Sequence, residues 1–137
     1  MNITKIKINN FRLLQNTTLD LEDQEEKDLS ILIGRNNSGK TSFIMLFDKF
    51  LENPSSFNFD DFPVSIRKRI FEINKDTDIH EISIKLIIEI TYSEKDNLEN
   101  LSEFILDLDP TENKVHILFE CFIDKNKLLN ELTAVKI

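Results

Sequence analysis

The sequence predicts an α/β fold built around one glycine-bounded loop, and three observations predict it. A compact apolar run at residues 29–33 leads directly into Gly34-Arg35-Asn36-Asn37-Ser38-Gly39-Lys40-Thr41, and a segment of helical periodicity follows. Elsewhere the chain repeatedly alternates apolar and polar residues, the period-two spacing of half-buried strands. Both glycines of the 137-residue chain, Gly34 and Gly39, fall inside that one loop.

Each element follows from its local pattern. ITKIKINNF, residues 3–11, sets Ile6 and Ile8 between Lys5 and Lys7 as a half-buried strand does. NTTLDLE repeats the alternation through Thr17, Leu19 and Leu21, and the intervening NNFRLLQ is short enough for antiparallel pairing. The acidic EDQEEKD at residues 22–28 reads as an exposed loop. LSILI, residues 29–33, lacks alternation, as expected of a strand buried on both faces. From Lys40, the positions Phe43, Ile44, Leu46, Phe47, Phe50 and Leu51 recur at helical spacing until ENPSS ends the helix at a proline. FNFDDFP is aromatic and irregular, a loop pinned to the core by phenylalanines rather than a recognition surface.

VSIRKRIFE fits a short helix. In HEISIKLIIEITY, Ile82, Ile84, Leu86, Ile88 and Ile90 alternate strictly, the clearest strand in the chain. NLENLSEFILDL from Asn97 fits an amphipathic helix, and KVHILFECFID from Lys114 fits another long strand. The tail KNKLLNELTAVKI is expected to begin a helix, yet it stops without a cap or breaker. No repeat or low-complexity linker divides the chain. Residues 1–137 therefore read as one unit, with strand–strand–loop–helix over 2–51 and a β-subdomain with helices over 52–137.

Composition sets the bounds. Hydrophobic residues make up 40% and charged residues 31%, ordinary for a globular domain. Seventeen basic against 25 acidic residues give a net charge of −8, which argues against a surface that coats nucleic acid generally. A local basic patch remains compatible with that balance. The lone Cys121 has no internal disulfide partner and lies in VHILFECFI, where a buried, inert thiol is expected. His80 and His116 stand apart from any metal-ligand spacing. The N-terminus lacks a signal-peptide pattern and no apolar run is long enough to span a bilayer, so the expected location is cytoplasmic with no membrane partner.

Residues 34–41 match G-x-x-x-x-G-K-[ST] without substitution. Gly34 lets the backbone leave the preceding strand sharply, and Gly39 takes positive φ cheaply without blocking a phosphate. The amides between them form an anion-binding nest, and the helix that follows presents its free N–H groups and dipole to the same anion. Lys40 reaches the β- and γ-phosphates while the Thr41 hydroxyl ligates Mg²⁺. A random chain of this length shows the pattern with a probability of roughly half a percent. A bare glycine turn would leave Lys40 and Thr41 without explanation.

Other candidates are weaker. A metal-binding carboxylate at the end of an apolar strand (Walker B) has only Asp107, Glu120 or Asp124 to offer, and none follows an unbroken apolar approach. Glu120 is expected to face solvent from a strand. The cluster from Arg67 to Arg69 is too short to specify DNA and suits an exposed helix face.

Residues 2–51 resemble the start of an ABC-type ATPase head: a strand, an NFR turn, a second strand, an acidic loop, then ILIGRNNSGKTSF. The group resembled contains the SMC, RecF and OLD (overcoming lysogenization defect) families, and the GRNNSGKTS form is most similar to OLD-like AAA ATPases. The resemblance implies an incomplete P-loop NTPase lobe with an antiparallel β-subdomain, built to take ATP and Mg²⁺. It places Arg35, Asn36, Asn37, Ser38 and Ser42 in the nucleotide-binding loop with Gly34, Gly39, Lys40 and Thr41. It also brings Arg12 of the NFR turn to the nucleotide from the side, although a plain surface-turn role for Arg12 stands equally open. Phe11 reads as a core anchor rather than an adenine platform.

The departures matter as much. No glutamine follows Gln24, so there is no Q-loop, and no glycine follows Gly39, so there is no LSGG-type signature. No convincing Walker B or switch histidine follows either, and nothing corresponds to the C-terminal Toprim nuclease of OLD proteins. The expectation is the N-terminal portion of a longer polypeptide, whose remainder completes the site. The intact protein would dimerise head to head and couple ATP hydrolysis to DNA processing, and this portion alone would hydrolyse little. Two alternatives stand beside it: a small self-contained P-loop kinase or GTPase, and a non-hydrolysing P-loop assembly module.

Overall fold

The computed structural model describes residues 1–22, 29–105 and 111–127. Most of the acidic loop, Asp107 and the tail beyond residue 127 lie outside those residues. Four strands form one antiparallel sheet: β1 (Asn2–Phe11), β2 (Leu14–Asp20), β3 (Ile84–Thr91) and β4 (Lys114–Cys121), in the order β2-β1-β3-β4. β1, β2 and β3 fall where alternation predicts strands, and β4 where KVHILFECFID predicts a long one. Registers such as Ile8↔Thr17, Ile8↔Leu86 and Leu86↔Phe119 put the alternating apolar residues on a single face. Ile8, Ile84 and Leu86 are each at most 1% exposed there. Burying such side chains contributes roughly 1.5–3 kcal/mol apiece, so this face fixes the register.

Helices α1 (Lys40–Leu51) and α2 (Val64–Phe71) belong to that apolar side. From α1, Leu46 is fully buried while Phe43, Phe47 and Phe50 pack at the margin of the core. The Phe50 ring lies 4.7 Å from Phe57 and 5.8 Å from Phe119, which ties α1 to both the aromatic loop and β4. Ile44 and Leu51, counted in the same apolar pattern, are exposed instead. From α2, Ile66 and Ile70 are buried. Its arginines are held internally, Arg67 by the Phe62 carbonyl at 2.8 Å and Arg69 by Glu81 at 3.0 Å. The aromatic loop is pinned as expected by Phe57 and Phe62, with a short 3₁₀ turn, Phe59–Asp61, between them.

Three expectations fail. Residues 29–33 are not a buried strand: they join no ladder among the described residues, and Leu29, Ile31 and Ile33 are 73, 73 and 90% exposed. Apolar composition expresses what a segment would bury, but a two-faced strand also requires neighbours, and none of the described strands flanks it. The helix expected from Asn97 shrinks to one 3₁₀ turn, Glu99–Leu101, within the described residues. Only Leu101 is buried there and Phe104 is exposed, so no continuous apolar stripe holds a helix down. The Asn97 and Ser102 side chains, bonded to Glu99 N–H and C=O, favour the turn locally.

Third, Glu120 does not face open solvent. Its carboxylate accepts from the Ser83 hydroxyl at 2.6 Å and lies 2.8 Å from His80 Nδ1. Cys121 is partly covered on the core face, and burial pushes its thiol up, consistent with an inert group.

Candidate nucleotide site

The site is assembled where the β1–β2 hairpin meets the start of α1. Gly39 is the residue before the helix and is left-handed, with φ 97° and ψ 2°. A Cβ at Gly39 would lie 2.8 Å from Leu14 Cδ2, so the position is reserved for glycine by the hairpin as well as by φ. Gly34 answers a different need. Its Cβ would sit 2.7 Å from Ser38 Oγ and 3.6 Å from Lys40 Nζ, inside the loop. Asn37 supplies a second left-handed turn, at φ 63°, a conformation asparagine tolerates better than most residues.

The loop closes on its own lysine. The Lys40 ammonium donates to the carbonyls of Gly34 and, at 2.7 Å, Arg35, with Ser38 Oγ at 3.4 Å. No side chain caps the N-terminus of α1, and its first turn carries no acid. The first-turn amides and the positive end of the helix dipole are therefore available to an anion.

A cavity of about 620 Å³ opens against this loop, lined by Arg12, Leu13 and every residue from Asn36 to Ser42. The structure thus brings Arg12 together with Asn36, Asn37, Ser38, Gly39, Lys40, Thr41 and Ser42. Gly34 and Arg35 are outside the lining and serve as carbonyl partners of Lys40. Two cations and three hydroxyls line the cavity and no carboxylate does, in a chain of net charge −8. Neither Glu120 nor Asp124 contributes to it. Asp124 instead accepts from the amides of Asn126 and Lys127, as a helix cap does.

Sequence reasoning missed the group behind Arg12. Arg12 is left-handed, φ 51°, at the first position of the two-residue hairpin loop, where primed turns require positive φ. Its amide donates to the Asp61 carbonyl at 2.8 Å, and its Nε and Nη2 donate to Asp61 Oδ1 at 3.0 and 2.8 Å. Asp61 is fully buried, and its second oxygen lies 2.9 Å from Lys49 Nζ of α1. Burial pushes its carboxyl up, but hydrogen bonds from Lys49, the Asn58 amide and Arg12 outweigh that and hold it below the usual carboxylate range. The only trace in the sequence is a paired Asp60-Asp61 in an otherwise aromatic loop. Leu13, 62% exposed at the hairpin tip, was also missed as a lining residue.

An antiparallel sheet packed on helices, with a glycine-flanked lysine loop opening α1, defines a mixed α/β P-loop nucleotide-binding domain. The chain belongs to the AAA ATPase domain family, which it matches over residues 1–136, and membership implies ATP binding. The residues present fit the triphosphate: donors line the cavity and a Cβ at Gly34 would fill the loop. No curated protein matches the chain. A solved SMC ATPase structure, from work on ATP-driven dimerization and DNA-stimulated activation of SMC ATPases, aligns with 100% of this chain and 81% of its own. At 16% identity and a TM-score of 0.44 that likeness is loose. Among the described residues no helix is long and apolar enough to cross a membrane.

Proposed function

We propose that this chain is the ATP·Mg²⁺-binding portion of an OLD-like, ABC-type ATPase acting in the cytoplasm. The observation that carries the reading is the acid-free, doubly cationic cavity at the start of α1. Lys40 exchanges the loop carbonyls for β- and γ-phosphate oxygens, and the amides from Asn36 to Thr41 cradle the phosphates. The Thr41 hydroxyl is the group that would hold a nucleotide-borne Mg²⁺, which would supply charge neutralisation at the phosphates. Among the described residues no group of three or more acids, histidines or cysteines is available to hold a metal independently.

In this reading a Walker B carboxylate and a signature motif would come from further parts of a longer polypeptide and from a second head in a head-to-head dimer. DNA processing is the proposed task of that whole, on the strength of the GRNNSGKTS resemblance.

Thermal unfolding of the chain with and without millimolar Mg·ATP tests the reading. Binding raises the midpoint by mass action, about 2.7 kcal/mol of stabilisation at a hundredfold excess over Kd. Lys40→Ala removes the shift while changing the ligand-free stability by no more than about 0.5 kcal/mol, since the Lys40 ammonium hydrogen-bonds within its own exposed loop. An unchanged midpoint in saturating nucleotide would favour a non-nucleotide assembly role. Appreciable turnover that depends on Lys40 would favour a self-contained enzyme.

A further inference from the structure

We propose that Asp61 is a positioning residue for the nucleotide site, fixing Arg12 at the cavity mouth and tying it to the helix that begins at the phosphate loop. The inference rests on the nucleotide reading above and adds a residue to it.

Asp61 binds one arginine three times, through the Arg12 amide, Nε and Nη2. That leaves Nη1 without a hydrogen bond among the described residues, on a side chain 34% exposed that lines the cavity. The guanidinium is therefore directed by its inner edge, with an outer edge left to meet an anion. The Phe11 ring, 5.4 Å from the guanidinium carbon, supports it from one side.

Stability alone explains the cluster poorly. A buried ion pair is often replaceable by apolar residues without loss, because desolvation offsets its attraction. A left-handed arginine adds further local strain. The arrangement makes sense as geometry. Lys49 lies on α1, two and a half turns after Lys40, and also holds the Ser56 carbonyl at 2.6 Å. One carboxylate thereby sets the spacing between the hairpin that carries Arg12 and the helix that carries Lys40 and Thr41.

The test measures Mg·ATP affinity of the 137-residue chain and follows the arginine side-chain Nε–H resonances by ¹⁵N NMR. Arg12→Ala, Arg12→Lys and Asp61→Asn should each weaken ATP by about tenfold, the scale of one charge-assisted hydrogen bond. The Asp61→Asn/Arg12→Ala double variant should be no weaker than Arg12→Ala. The Arg12 Nε–H signal, identified by its loss in Arg12→Lys, should be exchange-protected in the parent, shift with ATP and lose protection in Asp61→Asn.

Additive losses in the double variant, or a folded Asp61→Asn with parental affinity, overturn the proposal. If Asp61→Asn fails to fold, Arg12→Lys decides. It keeps the charge and the Asp61–Lys49 pair but lacks the forked donors, so parental affinity in it also overturns the proposal. Absence of ATP binding by the parent chain overturns both readings. ATP binding that is lost in Lys40→Ala yet indifferent to Arg12 and Asp61 overturns this one alone.

Discussion

Gly34 and Gly39 carry the same letter in the same motif for different physical reasons. At Gly39, φ is +97° and a Cβ would meet Leu14, a buried residue of β2. Gly39→Ala therefore combines left-handed strain of about 1–2 kcal/mol with overpacking of similar size, and should cost about 2–3 kcal/mol in a urea titration. At Gly34 the nearest obstacle is Ser38 Oγ, the end of a short side chain that can rotate away. Gly34→Ala should cost under about 1 kcal/mol, yet weaken ATP by filling the loop interior. Equal stability losses for the two variants would contradict the assignment of Gly39 to the hairpin contact. The sequence marks both positions through the motif, but the Leu14 contact belongs to tertiary structure and leaves no local signal.

Among elements, the strands were legible and residues 29–33 were not, for one physical reason. Alternation in β1 and β3 records a face that this chain itself buries, so pattern and structure agree. The apolar run LSILI records a demand for neighbours that the described residues do not meet. Local spacing was equally blind to the far face of the sheet, where β1, β3 and β4 bring Thr4, Glu89, Lys114 and His116 together from distant positions. Glu89 is 8% exposed there and accepts from Thr4 Oγ1 at 2.9 Å and Lys114 Nζ at 3.2 Å, with His116 Nε2 at 3.0 Å from its second oxygen. Burial pushes its carboxyl up, but the bonds from Thr4, Lys114 and His116 prevail and bring it to about 2. A depressed folded-state value means stability present above the unfolded value of 4.5 and lost as pH falls from there toward about 2. The parent chain should lose on the order of 2 kcal/mol across that window relative to Glu89→Gln, read from urea midpoints at each pH. Parallel pH profiles for the two proteins would show that the cluster does not hold the carboxylate in its charged form.

For the whole molecule, the distribution of charge separates the nucleotide from nucleic acid. The net charge of −8 repels both polyanions at long range, so any anion must be won by local donors. Arg12 and Lys40 provide them within one cavity the size of a small ligand. Several basic residues elsewhere among the described residues already face carboxylates: Lys114 with Glu22 at 2.6 Å, Arg69 with Glu81 at 3.0 Å, Lys5 with Asp20 and Lys85 with Glu120 at 3.8 Å. DNA affinity grows with the counterions displaced from each neutralised phosphate, and a cation already facing a carboxylate contributes little to that release. The 137-residue chain should therefore bind Mg·ATP yet fail to shift a DNA duplex at ~150 mM salt and micromolar protein. A salt-sensitive shift under those conditions would place a DNA surface on this chain and overturn the argument. A negative result agrees with anion-binding donors that are concentrated in the cavity of Arg12 and Lys40 and spread too thinly elsewhere to neutralise a run of phosphates.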